Sequence, residues 1–403
     1  MMKKVIFSAS DLGNYDGKFI FGFDGRDTLK IPNAIKPVKS DVDLRVIAHD
    51  LELIDCLRFE IESEALQEYG KKGRFLVGQA AINAGSAEQA KKRNKKYKSD
   101  HTVINLLASH AYKAARDFEP GDDKVLHVDV VTSLALPIEE ITTPGVPQEY
   151  AMRLKTGPHI VRFLNTPEFD GLEVHLTFSK IYLMPEGYAG FVSTSSDRTG
   201  RMIDDFKKYK ILLLDWGGGD LDATLFDKGN VVNGRGYKYG VNPMLLTVRD
   251  EIYRKHSYSF KSNQDVIEVA TRSDVNERYM IEVPGEGEVS IQTILEDKQL
   301  DLAKQVHGVI ENYYENGHSD IHATIFIGGS SYFMKDSIKQ VNGGALVYKD
   351  DINLKLKTEG TYRVFVPETL ESAQWSIARS LHKTLLRKSR EDGLYQDAAV
   401  HQG

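Results

Sequence analysis

The chain has 403 residues, 41% of them hydrophobic and 27% charged, and a formal net charge of −6. This length favours two domains, and the acidic balance argues against a broadly basic nucleic-acid surface, so no direct DNA binding is expected. Cys56 is the only cysteine, which excludes an intramolecular disulfide and a cysteine metal cluster and favours the cytoplasm. No apolar run reaches the ~18 residues of a transmembrane helix, so no membrane partner is expected. The apolar run within the start MMKKVIFSAS is too short for a secretory signal.

Sequence patterns in the first half of the chain predict mostly strands. The predicted strands are residues 5–8, 19–23, 28–31, 44–54, 75–77, 125–134, 160–164 and 172–178. Residues 80–96, 102–115 and 148–156 are predicted to be helical. We interpret the basic run at 91–96 as a solvated helix end. His110 is interpreted as a packed side chain, because no second metal-type residue lies at a matching helical offset.

The second half of the chain alternates strands with longer helices. Strands are predicted at 211–214, 223–226, 231–236, 321–327 and 363–366, and helices at 243–254, 289–314, 334–341 and 369–386. Residues 191–200, which are rich in Ser, Thr and Gly, are predicted to form a loop or the start of a helix. The polar residues 257–279 fit an inserted domain, and Ser330 and Ser331 are interpreted as caps of a helix start.

Two stretches of the chain combine a strand, a glycine turn and a second strand. The stretch 211–226, ILLLDWGGGDLDATLF, contributes Asp215, Gly217, Gly218, Gly219, Asp220 and Asp222. The stretch 10–18, SDLGNYDGK, contributes Asp11, Gly13, Asn14, Tyr15, Gly17 and Lys18. Glycines let backbone N–H groups approach a phosphate, a carboxylate at a strand end can hold a metal through water, and a lysine offers phosphate a cation. Taken alone, each stretch also fits a plain hairpin with acidic surface residues.

A third stretch, the apolar strand at 323–327, runs into Gly328, Gly329, Ser330 and Ser331 and suits the close approach of a nucleotide. In this order, the three stretches resemble the nucleotide site of the actin superfamily, which sugar kinases and DnaK-type chaperones share. Residues 183–187, LMPEG, resemble the proline–glutamate segment of ParM-type bacterial actins. Residues 74–81, 129–137 and 374–380 resemble connecting segments of the same fold, so the resemblance spans most of the chain.

The resemblance implies an α/β, actin-like ATPase fold, in which two domains, each built on a mixed β-sheet with flanking helices, surround a nucleotide cleft. Domain I would cover residues 1–205, with a small inserted subdomain at about 32–96. Domain II would cover residues 206–403, with an inserted subdomain at about 241–318. The C-terminal helix, at about 369–388, would return to domain I.

The resemblance also implies roles for individual residues. Glu186 and Asp215 would be catalytic, Glu186 by orienting or deprotonating the attacking water, and Asp11 and Asp215 would hold Mg²⁺ mostly through water. The implied nucleotide-binding residues are Asp11, Gly13, Asn14, Tyr15, Gly17, Lys18, Gly217, Gly218, Gly219, Asp220, Asp222, Gly328, Gly329 and Ser330. Two positions depart from the family pattern, because Asn14 and Tyr15 replace small residues and Asp220 stands where a threonine is usual. Asp220 therefore either faces away from the phosphates or joins the outer shell of the metal.

The function implied by the resemblance is that of a cytoplasmic, filament-forming ATPase that segregates plasmid DNA. ATP is the expected nucleotide, with GTP as the alternative. The implied partners are further copies of the chain and a DNA-binding adaptor of the ParR type on a centromere-like plasmid site. Two alternatives stay open: a small-molecule kinase or phosphatase of the same superfamily, for which no clear loop supplies the catalytic aspartate, and a non-polymerising structural protein that binds ATP. The lack of an additional substrate-binding domain disfavours a DnaK-type chaperone.

Overall fold

The computed structural model describes residues 4–39, 52–85, 87–89, 95–197, 199–348 and 363–394. The strands are β1 Lys4–Leu12, β2 Asp16–Phe21, β3 Asp27–Pro32, β4 Ala34–Pro37, β5 Arg58–Glu62, β6 Lys72–Val77, β7 Glu88–Gln89, β8 Val125–Leu136, β9 His159–Phe163, β10 Glu173–Pro185, β11 Lys210–Trp216, β12 Leu221–Asp227, β13 Asn230–Tyr237, β14 Met280–Val283, β15 Gly287–Ser290, β16 Ala323–Ile327, β17 Leu346–Tyr348 and β18 Arg363–Pro367. The helices are α1 Gln79–Asn83, α2 Asp100–Asp117, α3 Ile138–Ile141, α4 Val146–Lys155, α5 Glu186–Ser195, α6 Val241–His256, α7 Asn263–Thr271, α8 Gln292–Glu315, α9 Gly329–Phe333, α10 Lys335–Val341, α11 Leu370–Gln374 and α12 Ser376–Glu391. Within the described residues, 3-10 turns lie at Leu53–Cys56, Lys96–Lys98 and Asp204–Lys208.

The chain divides into two compact units. Unit 1 comprises residues 1–189, 198–201 and 377–403, and unit 2 comprises residues 190–197 and 202–376. The chain therefore passes from unit 1 to unit 2 within α5, returns to unit 1 for residues 198–201, and passes back to unit 1 a second time at the start of α12.

Unit 1 is built on one mixed sheet of ten strands, in the order β3-β2-β1-β8-β10-β9-β5-β6-β4-β7. Strands β1, β8 and β10 are parallel neighbours in its middle. Helix α2 is buried along most of its length, and Val103, Leu106 and Leu107 join the hydrophobic core. His110 on the same helix is fully buried, with Nδ1 2.8 Å from the carbonyl of Leu106, which confirms the prediction of a packed side chain.

Unit 2 is built on a sheet of six strands, in the order β13-β12-β11-β16-β18-β17. Strands β11, β16, β18 and β17 run parallel, while β12 and β13 add an antiparallel edge. Leu245 of α6 and Leu295 of α8 belong to its core, and β14 and β15 form a separate two-stranded hairpin. The α/β architecture of mixed sheets with flanking helices, predicted from the sequence, is confirmed.

The parallel strands position the functional loops. In unit 1, Ser10 of β1 pairs with Leu134 of β8, and Pro185 of β10 pairs with Leu136 of β8. The carboxyl ends of these strands therefore meet at one edge of the sheet, where open α/β sheets bind their ligands. In unit 2, Asp215 of β11 pairs with Ile327 of β16, so that these two strands also end together.

The structure corrects the predictions of local structure at 80–96 and 191–200. The helix predicted at 80–96 ends at Asn83, because Gly85 adopts a left-handed φ of +68° and ends the helical turn. Residues 88–89 are strand β7, and Lys96 lies in a 3-10 turn. Residues 191–200 are predicted to form a loop or the start of a helix, but residues 191–195 are the end of one, since α5 continues to Ser195, whose hydroxyl donates to the carbonyl of Phe191 at 2.7 Å.

Residues 44–51 of a predicted strand and 91–94 of the basic run lie outside the described residues. The described end of that predicted strand is wrong, since residues 53–54 belong to a 3-10 turn. Among the helices that the structure describes, none combines the length and the apolar character needed to span a bilayer.

Candidate functional site

Loop 1, residues 13–16, connects β1 to β2. The N–H of Gly13 donates to the carbonyl of Asp16 at 3.1 Å and closes the turn. Asn33 holds the loop from the side, since its N–H donates to the carbonyl of Tyr15 at 2.6 Å and its Nδ2 donates to the carbonyl of Gly13 at 2.5 Å. Asn14 and Tyr15 of the predicted set are exposed at the tip. The loop is therefore shaped by its own hydrogen bond from Gly13 to Asp16 and by hydrogen bonds from Asn33.

Asp11 and Lys18 lie opposite each other where the hairpin enters loop 1. They are register partners on β1 and β2, so their side chains share one face of the hairpin. The Nζ of Lys18 is 3.9 Å from Oδ2 of Asp11, which is longer than a hydrogen bond. Burial raises the pKa of Asp11, although the positive charges of Lys18 and Lys96 oppose that rise. In the described part of the chain, no cation is hydrogen-bonded to this buried carboxylate, so Asp11 is suited to receive one.

Gly17, also in the predicted set, explains how loop 1 fits against α2. A methyl group at Gly17 would lie 2.8 Å from Oδ1 of Asn105 on α2 and 2.9 Å from the ring of Phe19. A side chain at this position would push the start of β2 away from the helix.

Glu186 is the first residue of α5 and directly follows the carboxyl end of β10. Its Oε1 accepts a hydrogen bond from Nζ of Lys96 at 2.6 Å. Burial lowers the pKa of Lys96, but the negative charges of Glu186 and Asp11 and the hydrogen bond to Glu186 outweigh this effect and raise it overall. Interpreting Lys96 as part of a solvated helix end was wrong, since only 14% of its side chain is exposed.

Loop 2, residues 217–220, connects β11 to β12 in unit 2. The N–H of Gly217 donates to the carbonyl of Asp220 at 2.9 Å. The N–H of Asn242 donates to the carbonyl of Gly218 at 2.8 Å. Gly240 packs directly onto the loop, because a methyl group there would lie 2.5 Å from the backbone nitrogen of Asp220 and closer still to the backbone of Gly219.

Asp215 and Gly328 meet at the carboxyl ends of β11 and β16. Gly328 has a φ of +85°, and a methyl group there would lie 2.7 Å from Oδ1 of Asp215 and 2.6 Å from the carbonyl oxygen of Trp216. A glycine is therefore required beside this carboxylate. Asp222 faces Asp215 across the hairpin as its register partner.

The interpretation of the two serines as helix caps was wrong. Gly328 is the N-cap of α9 and no side chain caps this helix. The hydroxyl of Ser331 instead donates to the carbonyl of Ile327, and Ser330 is buried.

The predicted site residues thus fall into one group in each unit. Asp11, Lys18 and Glu186 lie together in unit 1 with Lys96, and Asp215, loop 2 and Gly328 lie together in unit 2. Among the described residues, no three His, Cys, Asp or Glu side chains group as a ready metal site. Carboxylates that hold a metal through water need no such grouping.

Sequence reasoning missed three residues that shape these groups, namely Lys96, Asn33 and Gly240. The sequence does mark the position of Gly240, since this glycine directly precedes the start of a helix that carries Pro243. Asn33 directly follows β3, and its hydrogen bonds to loop 1 depend on the fold. Lys96 lies 90 positions from Glu186, and its pairing depends on the fold.

Comparisons with known proteins agree with this architecture. Residues 210–353 match the family model described as the Alp7A C-terminal domain, and no curated protein matches the chain. The crystal structure of the actin-like protein Alp7A aligns with a TM-score of 0.73 at 17% identity, covering 97% of this chain and 98% of that one. Bacillus thuringiensis ParM with AMPPNP aligns with a TM-score of 0.67 at 18% identity, covering 96% of this chain and 100% of that one. The same protein with ATP gives a TM-score of 0.65 at 18% identity, covering 98% and 100%. The chain therefore has the actin-like fold of Alp7A and ParM, as the resemblance in its sequence predicts.

Proposed function

We propose that this protein is a filament-forming bacterial actin-like ATPase that hydrolyses ATP and segregates plasmid DNA together with a DNA-binding adaptor of the ParR type. One observation carries the proposal: each unit ends its parallel strands in a glycine loop beside a carboxylate, with Asp11 at loop 1 and Asp215 at loop 2. The fold shared with ParM, which has been solved with ATP, with ADP and with AMPPNP, supports the same reading.

The residues fit a magnesium nucleotide. Loop 1 and loop 2 offer backbone N–H groups to phosphate oxygens, and Lys18 offers a positive charge. Burial raises the pKa of Asp11, so a divalent cation nearby would favour the ionised carboxylate. Asp11 and Asp215 are the residues that would hold Mg²⁺, mostly through water, and the ion would neutralise charge on the phosphates. ATP is the proposed nucleotide, with GTP as the second choice.

Glu186 is the proposed residue for the attacking water. Phosphoryl transfer to water needs positioning and charge stabilisation more than covalent help. A carboxylate at the first position of α5, held at 2.6 Å by Lys96, has a fixed direction. It can accept a hydrogen bond from water and take up its proton.

Hydrolysis by purified protein tests the nucleotide site. Asp215→Ala should abolish ATP hydrolysis and weaken Mg²⁺-dependent binding, while Asp227→Ala, at the far end of β12, should behave as wild type. Glu186→Gln should keep ATP binding and lose about a hundredfold or more in turnover. Wild-type turnover in Asp215→Ala would exclude the proposed role of this carboxylate.

Assembly is tested by light scattering and sedimentation with ATP and Mg²⁺. Scattering should rise above a critical concentration and decay as ATP is consumed, because head-to-tail contacts do not close on themselves and hydrolysis changes the affinity between subunits. In Glu186→Gln the rise should persist and the decay should slow. A protein that stays monomeric with ATP and with slowly hydrolysed analogues, but transfers phosphate to a small molecule, would favour the kinase alternative.

Segregation is tested by plasmid retention. A low-copy plasmid that depends on the coding region and its adaptor should be lost from cells when Asp215 is replaced by alanine. Equal plasmid retention with wild type and Asp215→Ala would contradict the proposed role in segregation, but it would not contradict the proposed ATPase activity.

A further inference from the structure

We propose that Lys96 is a positioning residue for hydrolysis, which holds the Glu186 carboxylate towards the attacking water through a shielded ion pair. The proposal rests on the proposed function, in which Glu186 acts on that water. Lys96 itself was assigned no function from the sequence.

The ion pair is short and largely removed from solvent. Nζ of Lys96 lies 2.6 Å from Oε1 of Glu186, with 14% and 25% of the two side chains exposed. Hydrogen bonds between ionised groups are about twice as strong as neutral ones. A shielded charge that loses its partner is left without compensation, which is costly. Because turning Glu186 away from Lys96 would carry this cost, the pair constrains where Glu186 points.

The surrounding charges give Lys96 a task. Glu186 lies close enough to Asp11 that its negative charge contributes to the raised pKa of Asp11. Lys96 attracts both carboxylates, and their charges help to raise its own pKa. The lysine is therefore charged at neutral pH and offsets the repulsion between the two acids.

The backbone that carries Lys96 is anchored by two other elements. The carboxylate of Glu140 on α3 accepts the N–H of Lys96 at 2.8 Å and the N–H of Tyr97 at 3.1 Å. Arg153 on α4 donates to the carbonyl of Tyr97 at 2.7 Å and pairs with the fully buried Asp100. These hydrogen bonds fix the backbone that carries Lys96. A positioning residue requires such support, because precision at the reacting centre depends on a rigid surrounding structure.

Lys98 provides a matched control within the same 3-10 turn. It is exposed and places its ammonium group 5.4 Å from the ring of Tyr97. No ion pair of Lys98 is found among the described residues. Lys98→Met therefore removes the same charge from the same turn without touching Glu186.

The experiment measures binding and hydrolysis separately in Lys96→Met, Lys96→Arg and Lys98→Met. Lys96→Met should lower the single-turnover rate by about ten- to a hundredfold, the size expected when a reacting group is misplaced by about 1 Å. Its affinity for ATP, from displacement of a fluorescent analogue, should change less than about threefold, since loop 1 and loop 2 remain. Lys96→Arg should recover most of the rate, and Lys98→Met should match wild type. Equal losses of affinity and rate in Lys96→Met, or a wild-type rate, would overturn the proposal.

A double-mutant cycle with Glu186→Gln separates positioning from an independent role. Lys96→Met added to Glu186→Gln should lower the rate by less than about twofold further, because both changes act through one carboxylate. Additive losses would contradict the proposal. If Lys96→Met does not fold, Lys96→Gln takes its place in the cycle.

A second readout needs no hydrolysis. In thermal unfolding of the nucleotide-free protein, Lys96→Met and Glu186→Gln should each lower the melting temperature. The double variant should melt at no lower temperature than the less stable of the two single variants. If the melting temperatures show that Lys96 and Glu186 are coupled but the wild-type protein does not hydrolyse ATP, the ion pair is real and the proposed ATPase function fails. Hydrolysis by wild type without coupling would mean that the Lys96 proposal fails alone.

Discussion

Loop 1 and loop 2 have the same strand–turn–strand design but are stabilised in different ways. Loop 1 is surrounded by side chains that carry charge or hydrogen bonds, chiefly Asp11, Lys18 and Asn33. Loop 2 is fixed by backbone packed on backbone, with Gly240 against its glycines. Gly328 takes the same part beside Asp215. Charged and hydrogen-bonding side chains surround the first loop, whereas close backbone contacts at glycines surround the second.

This difference determines what should break each loop. Loop 1 should be sensitive to changes of charge at constant shape, since its neighbours act through charge and hydrogen bonding. Loop 2 should be sensitive to added volume, since backbone atoms cannot rotate away as side-chain ends can.

Gly240→Ala should have the largest effect on either loop. Its φ of −69° is open to any residue, so the backbone of Gly240 itself would tolerate alanine and the effect isolates the steric clash with loop 2. Because the methyl group would lie 2.5 Å from the Asp220 nitrogen, loop 2 has to shift, at a cost of about 3 kcal/mol or more. Nucleotide affinity, measured by fluorescent-analogue titration, should fall by at least about a hundredfold.

Gly308→Ala is the control for Gly240→Ala in the same unit. Gly308 lies exposed within α8, with nothing within 4 Å of an added methyl group. The substitution should leave nucleotide affinity unchanged and raise stability by up to about 1 kcal/mol, as expected for alanine in a helix. Equal losses in both variants would show that the packing of Gly240 is unimportant.

The contrast between the loops also explains what the sequence could predict. Asp11, Gly13 and Lys18 lie within one short stretch, as do Asp215 and its glycines, and each stretch spans a single hairpin whose register sets its geometry. Local patterns therefore suffice to place these residues at a turn.

The residues that support the loops come from distant parts of the chain. Lys96 reaches Glu186 only because α3 and α4 fix its backbone, and a basic run has the same appearance in a sequence whether solvated or paired. Gly240 approaches loop 2 only after β13 has run alongside β12. Single-sequence patterns describe neighbours along the chain, whereas these contacts depend on topology.

Acid should distinguish the two units next. Burial lowers the pKa of His110 from 6.5 to about 4, and it also lowers the pKa of His159 and His382, all in unit 1. These native histidines stay neutral while the unfolded chain takes up protons below pH 6.5, so stability is present above that pH and falls as pH drops towards 4. His110 alone accounts for roughly 3 kcal/mol of this loss.

The two tryptophans make this difference measurable, because Trp216 and Trp375 both belong to unit 2. During acidification, far-UV circular dichroism should lose signal at a higher pH than the shift of tryptophan emission. His110→Gln should narrow the gap, and His322→Gln, an exposed position in unit 2, should leave it unchanged. Coincident transitions in wild type would contradict the assignment of acid sensitivity to unit 1.

Asp11→Asn should move stability and binding in opposite directions. The native pKa of Asp11 is raised by burial, so its charge costs stability at neutral pH, and that cost disappears as pH falls through the native pKa. The nucleotide-free variant should therefore melt higher than wild type at pH 7, and the difference should shrink in acid. Mg²⁺-dependent nucleotide affinity should fall roughly tenfold as one metal-holding carboxylate is lost.

Asp24→Asn is the control, since Asp24 lies beyond the opposite end of β2 and accepts the N–H of Arg26 at 3.1 Å. It should change neither the Mg²⁺ dependence nor the melting temperature by a comparable amount. A lower melting temperature in Asp11→Asn would contradict this prediction. It would show that attraction between the charge of Asp11 and the lysines Lys18 and Lys96 stabilises the fold by more than burial of that charge destabilises it.

Asn33→Ala should produce the smallest effect on loop 1. It removes the bond from Nδ2 to the carbonyl of Gly13, but the main-chain N–H still donates to Tyr15. It also removes a buried Oδ1 that has no hydrogen-bond partner in the described part of the chain, which offsets part of the loss. A net cost of about 1 kcal/mol corresponds to a few-fold loss of nucleotide affinity.

Asn33→Asp keeps the shape but faces a carboxylate oxygen towards the Gly13 carbonyl, so it should lower affinity more than Asn33→Ala in the same titration. If alanine were the more damaging change, volume rather than hydrogen bonding would hold loop 1, and the contrast with loop 2 would disappear.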